Sequence, residues 1–290
     1  MSFAGVDAGP SRSAGNAFVG DIWVNFKRWT RKAIRNPTVV FLELFMAVFS
    51  LLMFTAVFGD VGTLALERAG FESVSYLPFV LPAAVVQVSM SSSLSSGLGL
   101  VEDLQTGMFE KVTVSPMRWT AVFAGKAAAE LFRLVCYVFV IFGLGLAMGA
   151  TVETGLVGLF GIALVCVLFA LWYMALSNAV AVATRDEETL DAVGNLLLFP
   201  LLFLSSAFLP ASSLPESVQV VATVNPVTYG VDAIRALVLG RDVLTVVEVT
   251  AFGGVYDTLV PALAVLCALD VVFGAVSVWL MGRATGSAVA

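Results

Sequence analysis

Histidine is absent from this chain of 290 residues. No side chain therefore has an unperturbed pKa between pH 5 and 8, and the commonest general base, proton shuttle and metal ligand is excluded. Cysteine is scarce. Cys136, Cys166 and Cys267 each lie inside an apolar run, too scattered for a zinc signature. They read as small buried hydrophobes. Charge is scarce as well: charged residues make up 12% of the chain, against about 25% in a soluble domain. A phosphate-binding loop is also missing. It needs Gly-x4-Gly-Lys-Ser/Thr, but the one Gly-Lys pair, Gly125-Lys126, is followed by Ala127 and has Thr120 where the leading glycine belongs. An intramembrane enzyme would need a clustered nucleophile and base, and none assembles without histidine. No secretory signal is visible, because the first apolar run is too long for one.

What fills the chain is hydrocarbon. Apolar residues reach 59% and mean hydropathy is +0.97. A chain so apolar has no polar coat to face water, and runs of about 20 apolar residues match a bilayer core of about 30 Å. Six spans are expected, at about 37–58, 76–100, 123–149, 156–183, 192–209 and 258–281. The fifth is short. The domain plan is a flexible N-terminus over 1–15, an interfacial helix over 16–36, a six-span domain over 37–283 and a tail over 284–290.

Lys and Arg set the orientation. Twelve fall on one side: Arg12, Lys27, Arg28, Arg31, Lys32, Arg35, Lys111, Arg118, Lys126, Arg133, Arg185 and Arg283. Arg68, Arg235 and Arg241 alone fall on the other. Both termini are therefore expected in the cytoplasm of a multi-pass protein of the cell membrane.

Before the first span, Phe18, Ile22, Trp23, Phe26, Trp29 and Ala33 gather on one helical face, with Lys27, Arg28, Arg31, Lys32 and Arg35 opposite. That pattern describes a helix lying in the membrane interface. Asn36-Pro37 then turns the chain into the first span. The longest cytoplasmic loop, 101–122, mixes Glu102, Asp103, Glu110, Lys111 and Arg118 with Leu104, Met108 and Phe109. An amphipathic loop of this size suits docking to another protein. The charged run Arg185 to Asp191 is either a second contact or a solvated turn. On the outer side, 205–241 is broken by Pro210, Pro215 and Pro226. It carries a helical stretch from Val227 to Leu239 with Gly240 as its stop, and reads as a re-entrant or interfacial helical pair.

Charges inside spans are expensive. Glu43, Glu130 and Arg133 lie near the cytoplasmic ends, where Glu130 and Arg133 have the spacing to pair along one helix. Asp270 falls midway along the last span and is expected to face a cavity or the bundle interior, beside a polar neighbour. Ser89, Ser91, Ser92, Ser93, Ser95, Ser96, Gly97 and Gly99 crowd the second span, where small residues allow close helix packing or line a polar path.

Two segments carry a family resemblance. The run Pro210-Ala-Ser-Ser-Leu214-Pro215 followed by Asn225-Pro226, Tyr229, Asp232 and Arg235 resembles the outer end of type-2 ABC transporter permeases. Glu102-Asp103, Gly107, Phe109-Glu110-Lys111 and the following Ser115-Pro116 resemble that family's loop between spans two and three. Met108 stands where the family often has threonine, and a proline common in its first span is missing, with Glu43 nearby.

The resemblance implies an all-α membrane protein of six transmembrane helices with an outer re-entrant segment between spans five and six. It also implies a homodimer or a pair of related chains in the lipid bilayer, and a separate ABC ATPase subunit that uses the ATP. That partner would dock on Glu102, Asp103, Gly107, Phe109, Glu110, Lys111 and Arg118. Asn225, Pro226, Tyr229, Asp232 and Arg235 would form the outer motif, with Asp232 and Arg235 as a structural ion pair. The chain would move a lipophilic drug, lipid or similar compound outward. It would bind no cofactor, metal or nucleic acid and catalyse nothing itself. The alternative is an ion-gradient-driven secondary transporter or channel, which predicts inverted repeats and midplane charges.

Overall fold

The computed structural model describes residues 14–71, 74–107, 119–243 and 250–286. Among them are nine α-helices, a single 3-10 turn and no strand: α1 (Ala14–Arg35), α2 (Pro37–Arg68), α3 (Tyr76–Gln105), α4 (Trp119–Ala147), α5 (Gly155–Thr184), α6 (Glu187–Phe203), α7 (Glu216–Val224), α8 (Pro226–Leu239) and α9 (Val255–Gly286), with the turn at Ala211–Ser213. Five of these, α2, α3, α4, α5 and α9, are long and apolar enough to cross a membrane.

Local chemistry explains the boundaries. Asn36 alone separates α1 from α2, and Pro37 opens α2. Its missing N–H and fixed φ suit the first helical position. α2 then runs for 32 residues, about 48 Å, ten residues past the expected span. Asp60 and Glu67 look like loop residues by composition. With no proline between Pro37 and Arg68, however, nothing interrupts the backbone hydrogen bonding. α5 stops at Arg185, whose φ of 54° is left-handed.

Asp186 then caps α6, accepting hydrogen bonds from the Thr189 backbone N–H at 2.8 Å and the Thr189 hydroxyl at 2.6 Å. These bonds hold its carboxyl below the usual carboxylate range.

The segment expected as a fifth span over 192–209 differs from that expectation. Its helix begins earlier, at Glu187, and ends at Phe203 after 17 residues, about 26 Å. Residues 204–209, Leu-Ser-Ser-Ala-Phe-Leu, are not helical. The carbonyls of Leu201, Leu204, Ser206 and Ala207 accept from side chains of the Asn225–Arg235 segment instead.

α3 is the centre of the bundle, packed by α2, α4, α5, α6 and α8. Of its most apolar 18-residue window, 89% is buried, against 17% for α2 and 11% for α9. The serines of α3 serve this packing. Ser93 donates to the Ala170 carbonyl at 3.1 Å, and the Ser177 hydroxyl donates to the Leu94 carbonyl at 3.2 Å. A Cβ on Gly97 would collide with Ser177, so glycine sets this close approach of α3 to α5. Phe79, Met90, Phe142, Phe169 and Tyr173 fill the core around it.

Candidate functional site

At the end of the bundle that carries α1, this helix is bound to the tip of α3. Arg28 Nη2 donates to both carboxylate oxygens of Asp103 at 3.2 Å, and Lys32 Nζ donates to Glu102 at 2.7 Å. Both pairs are solvent-accessible, and such pairs contribute about 0.2–1 kcal/mol each. They are too weak to hold the fold, so their consequence is positional: they set α1 against the end of α3. One turn further, Gln105 donates to the Arg185 carbonyl at 3.3 Å. The base of the long loop thus touches both α1 and the turn between α5 and α6. Gly107 closes α3 with a φ of 66°, a left-handed residue just beyond the helix end.

Beneath this contact lies a buried cluster of charges. α1 crosses α4 closely because Gly125 has no side chain; a Cβ there would sit 2.6 Å from both Asn25 Cβ and the Ile22 carbonyl. This brings Trp29 over Lys126, whose Nζ lies 4.8 Å from the ring centroid and donates to the Ser96 carbonyl at 2.5 Å. Lys126 also faces Glu130 at 3.9 Å. One helical turn along, Arg133 faces Glu43 of α2 at 3.7 Å and donates to the Ser92 hydroxyl at 3.2 Å. Glu43 accepts further from Ser95 and, at 3.0 Å, from Tyr137.

The expected pairing of Glu130 with Arg133 is therefore corrected. Lys126 takes Glu130 by i, i+4 spacing, and Arg133 reaches across to another helix. Sequence pattern counts Lys126 only among the basic residues of one side and does not single out Tyr137. The Lys126–Glu130 spacing inside an apolar run was the available signal.

The far end is held by Arg235. Its side chain is fully buried and donates four hydrogen bonds: Nη1 to Asp232 at 2.7 Å, Nε to the Phe79 carbonyl at 3.2 Å, and Nη2 to the carbonyls of Ser206 and Ala207 at 2.9 and 3.1 Å. The guanidinium also stacks 3.7 Å from the Phe79 ring centroid. Asp232 accepts a further bond from the Ser206 hydroxyl at 2.8 Å. Asn225 caps α8 through the Val227 N–H at 3.0 Å, and its amide donates to the Leu201 and Leu204 carbonyls at 2.7 and 2.9 Å. Pro226 begins α8, and Tyr229 donates back to the Thr223 carbonyl at 2.6 Å. Asp232 and Arg235, expected as an ion pair, are bonded to each other. The reach of Arg235 into α3 and the tail of α6 goes beyond what an i, i+3 spacing reveals.

The remaining candidates are dispersed. Asp270 sits partly buried on α9, and its Oδ1 lacks a hydrogen-bond partner among the described residues. Phe109, Glu110, Lys111 and Arg118 lie outside the described residues.

A bundle with five helices long and apolar enough to cross a bilayer, charges buried at one end and a backbone clamp at the other, is a multi-pass membrane protein. The chain belongs to the ABC-2 type transporter family, whose model matches residues 20–239, from α1 to the end of α8. Over 195 residues it is 28% identical to "Daunorubicin resistance ABC transporter permease protein DrrB1" of Streptomyces coeruleorubidus, covering 67% of this chain and 66% of that protein. The match thus spans just under two thirds of that relative's length. "Putative transport permease ycf38" of Cyanophora paradoxa is 26% identical over 227 residues, 76% of this chain and 74% of its own. "Probable doxorubicin resistance ABC transporter permease protein DrrC" of Mycobacterium tuberculosis is 20% identical over 235 residues, 81% of this chain and 83% of its own.

Proposed function

We propose that this chain is the membrane permease subunit of an ATP-driven exporter, working with a separate ABC ATPase and a second permease chain. In this reading α6 serves as a short fifth span, completing six. The helices α7 and α8 form an outer re-entrant pair, and α1 lies on the cytoplasmic face with both termini. The cargo is a lipophilic drug, lipid or similar compound carried outward. Resistance to daunorubicin or doxorubicin in the names of two relatives favours drug-like cargo.

The observation that carries the proposal is the contact at the α3 tip. The long loop, 101–122, begins where Glu102 and Asp103 hold α1 and where Gln105 meets the Arg185 turn. A push on that loop would be felt by α1 and by the Lys126–Glu130 and Arg133–Glu43 pairs below it. The ATPase is expected on residues 102–118, including Phe109, Glu110, Lys111 and Arg118, with the 185–191 turn alongside. Changing Phe109 and Glu110 together to alanine should abolish co-purification with the ATPase subunit. Full retention of the complex removes this docking site.

A further inference from the structure

α1 has three sides, and two of them face away from the protein. Ile22, Asn25 and Trp29 lie on the side that meets Gly125 of α4 and Gly99 of α3. Val19, Trp23 and Ile34 share a second side and are 66%, 55% and 72% exposed. Lys27, Arg31 and Arg35 form the third. Their spacing of four residues stacks them one turn above another, and all three are exposed, with Val24 beside them.

Charge on the third side is unmatched. A surface groove of about 710 Å³ runs along it, and five of its eight lining residues are Lys or Arg, against one carboxylate, Glu102. Arg28 and Lys32 are already bonded to Asp103 and Glu102. Lys27, Arg31 and Arg35 have no carboxylate partner among the described residues. Lys27 instead stands over the Trp23 ring, its Nζ 5.4 Å from the centroid.

The second side adjoins hydrocarbon-facing surface. α1 passes into α2 through Asn36 alone, and Phe41, Leu42 and Phe45 near the start of α2 are exposed. On α4, exposed Phe132 meets Phe26 of α1 edge-on at 5.9 Å. A tryptophan beside a row of cations, next to the start of a spanning helix, stands where lipid head groups meet acyl chains.

The partner that fits is apolar within and anionic at its surface. A soluble acidic protein answers the cations but leaves Val19, Trp23 and Ile34 in water. A zwitterionic lipid covers those three but brings a further cation to three that are unmatched. A phospholipid of net negative charge satisfies both sides.

We propose that the outer surface of α1 binds the anionic phospholipids of the leaflet it lies against. Their phosphates accept from Lys27, Arg31 and Arg35, and their acyl chains cover Val19, Trp23 and Ile34. This binding needs no nucleotide, ATPase or cargo, so its failure would leave the transport reading standing.

Trp23 is the reporter. The full chain is reconstituted in vesicles of equimolar phosphatidylcholine and phosphatidylglycerol, with bromines carried on the acyl chains of one lipid or of the other. The Trp23 share of the emission is the difference between the parent and Trp23→Phe. Brominated phosphatidylglycerol should quench that share at least twofold more than brominated phosphatidylcholine. Changing Lys27, Arg31 and Arg35 together to Gln should bring the ratio to one. Arg68→Gln, which removes an exposed cation at the far end of α2, should leave the parent ratio in place. Equal quenching of Trp23 by the two lipids, or none by either, overturns the proposal on the unaltered protein, whatever the folding of the variants. An unchanged ratio in the folded triple variant overturns it as well. A parent ratio of one, joined to loss of ATPase co-purification in the triple variant, assigns the cations to a protein partner and rejects the lipid.

Discussion

Replacing Arg235 with leucine should destabilise the far end of the bundle by about 3–5 kcal/mol, the usual cost of breaking a buried ion pair from one side. The guanidinium is fully buried and is the donor for Asp232 and for three backbone carbonyls, those of Phe79, Ser206 and Ala207. Removal takes the guanidinium from the buried Asp232 carboxylate, which keeps its bond from Ser206, and leaves three carbonyls short of a donor. An orphaned buried polar group costs about 1–3 kcal/mol by itself, so the estimate is conservative. Lysine is a poor substitute, because one ammonium lacks the planar fork that serves three elements at once and stacks on Phe79. Changing Asp232 to asparagine in the Arg235→Leu background should recover part of the loss by removing the stranded charge. The assay is a reversible unfolding titration in mixed micelles, read by tryptophan fluorescence as a double-mutant cycle. A loss below about 1 kcal/mol for Arg235→Leu would mean that the clamp does not hold α3, α6 and α8 together.

Three further outcomes are expected. Reversing both contacts of α1, with Arg28→Glu and Lys32→Glu, should reduce transport several-fold while changing stability by less than about 2 kcal/mol. Adding Asp103→Arg and Glu102→Lys should restore transport, and failure of that rescue speaks against a relay through α1. Asp270→Asn should lower transport; unchanged transport ends a role for this carboxyl.

Removing the α6 cap with Asp186→Ala should lower the unfolding midpoint slightly near neutral pH. The folded-state pKa of Asp186 is depressed by its bonds from Thr189. Its contribution is therefore present above the unfolded value of about 3.9 and lost as the pH falls through the folded value. A difference between variant and parent that grows on acidification contradicts this.

Much of the architecture was legible because it is local. The Asn36-Pro37 break, the helix ending before Gly240 and the spacing of Asp232 to Arg235 each depend on neighbouring residues, and each is present. The end of α6 was not legible, because residues 204–209 hold no proline, glycine or charge to mark where the helix stops. Their backbone is satisfied by Asn225 and Arg235 from about twenty or more positions away, a tertiary effect with no local mark. The length of α2 was hidden for the opposite reason. Asp60 and Glu67 interrupt the hydropathy without interrupting the helix. The cluster at the α1 end was read in part: Glu43, Glu130 and Arg133 stood out as charges in spans. The reach of Arg133 to Glu43 emerges only when α2 packs by α4, and the place of Lys126 beneath Trp29 only when α1 crosses Gly125.

The exporter assignment is tested most directly in proteoliposomes holding this chain and its ATPase partner, with a lipophilic dye as cargo and ionophores to collapse ion gradients. Transport that requires ATP and persists without gradients is the expected result. Transport that follows an ion gradient and ignores ATP contradicts it.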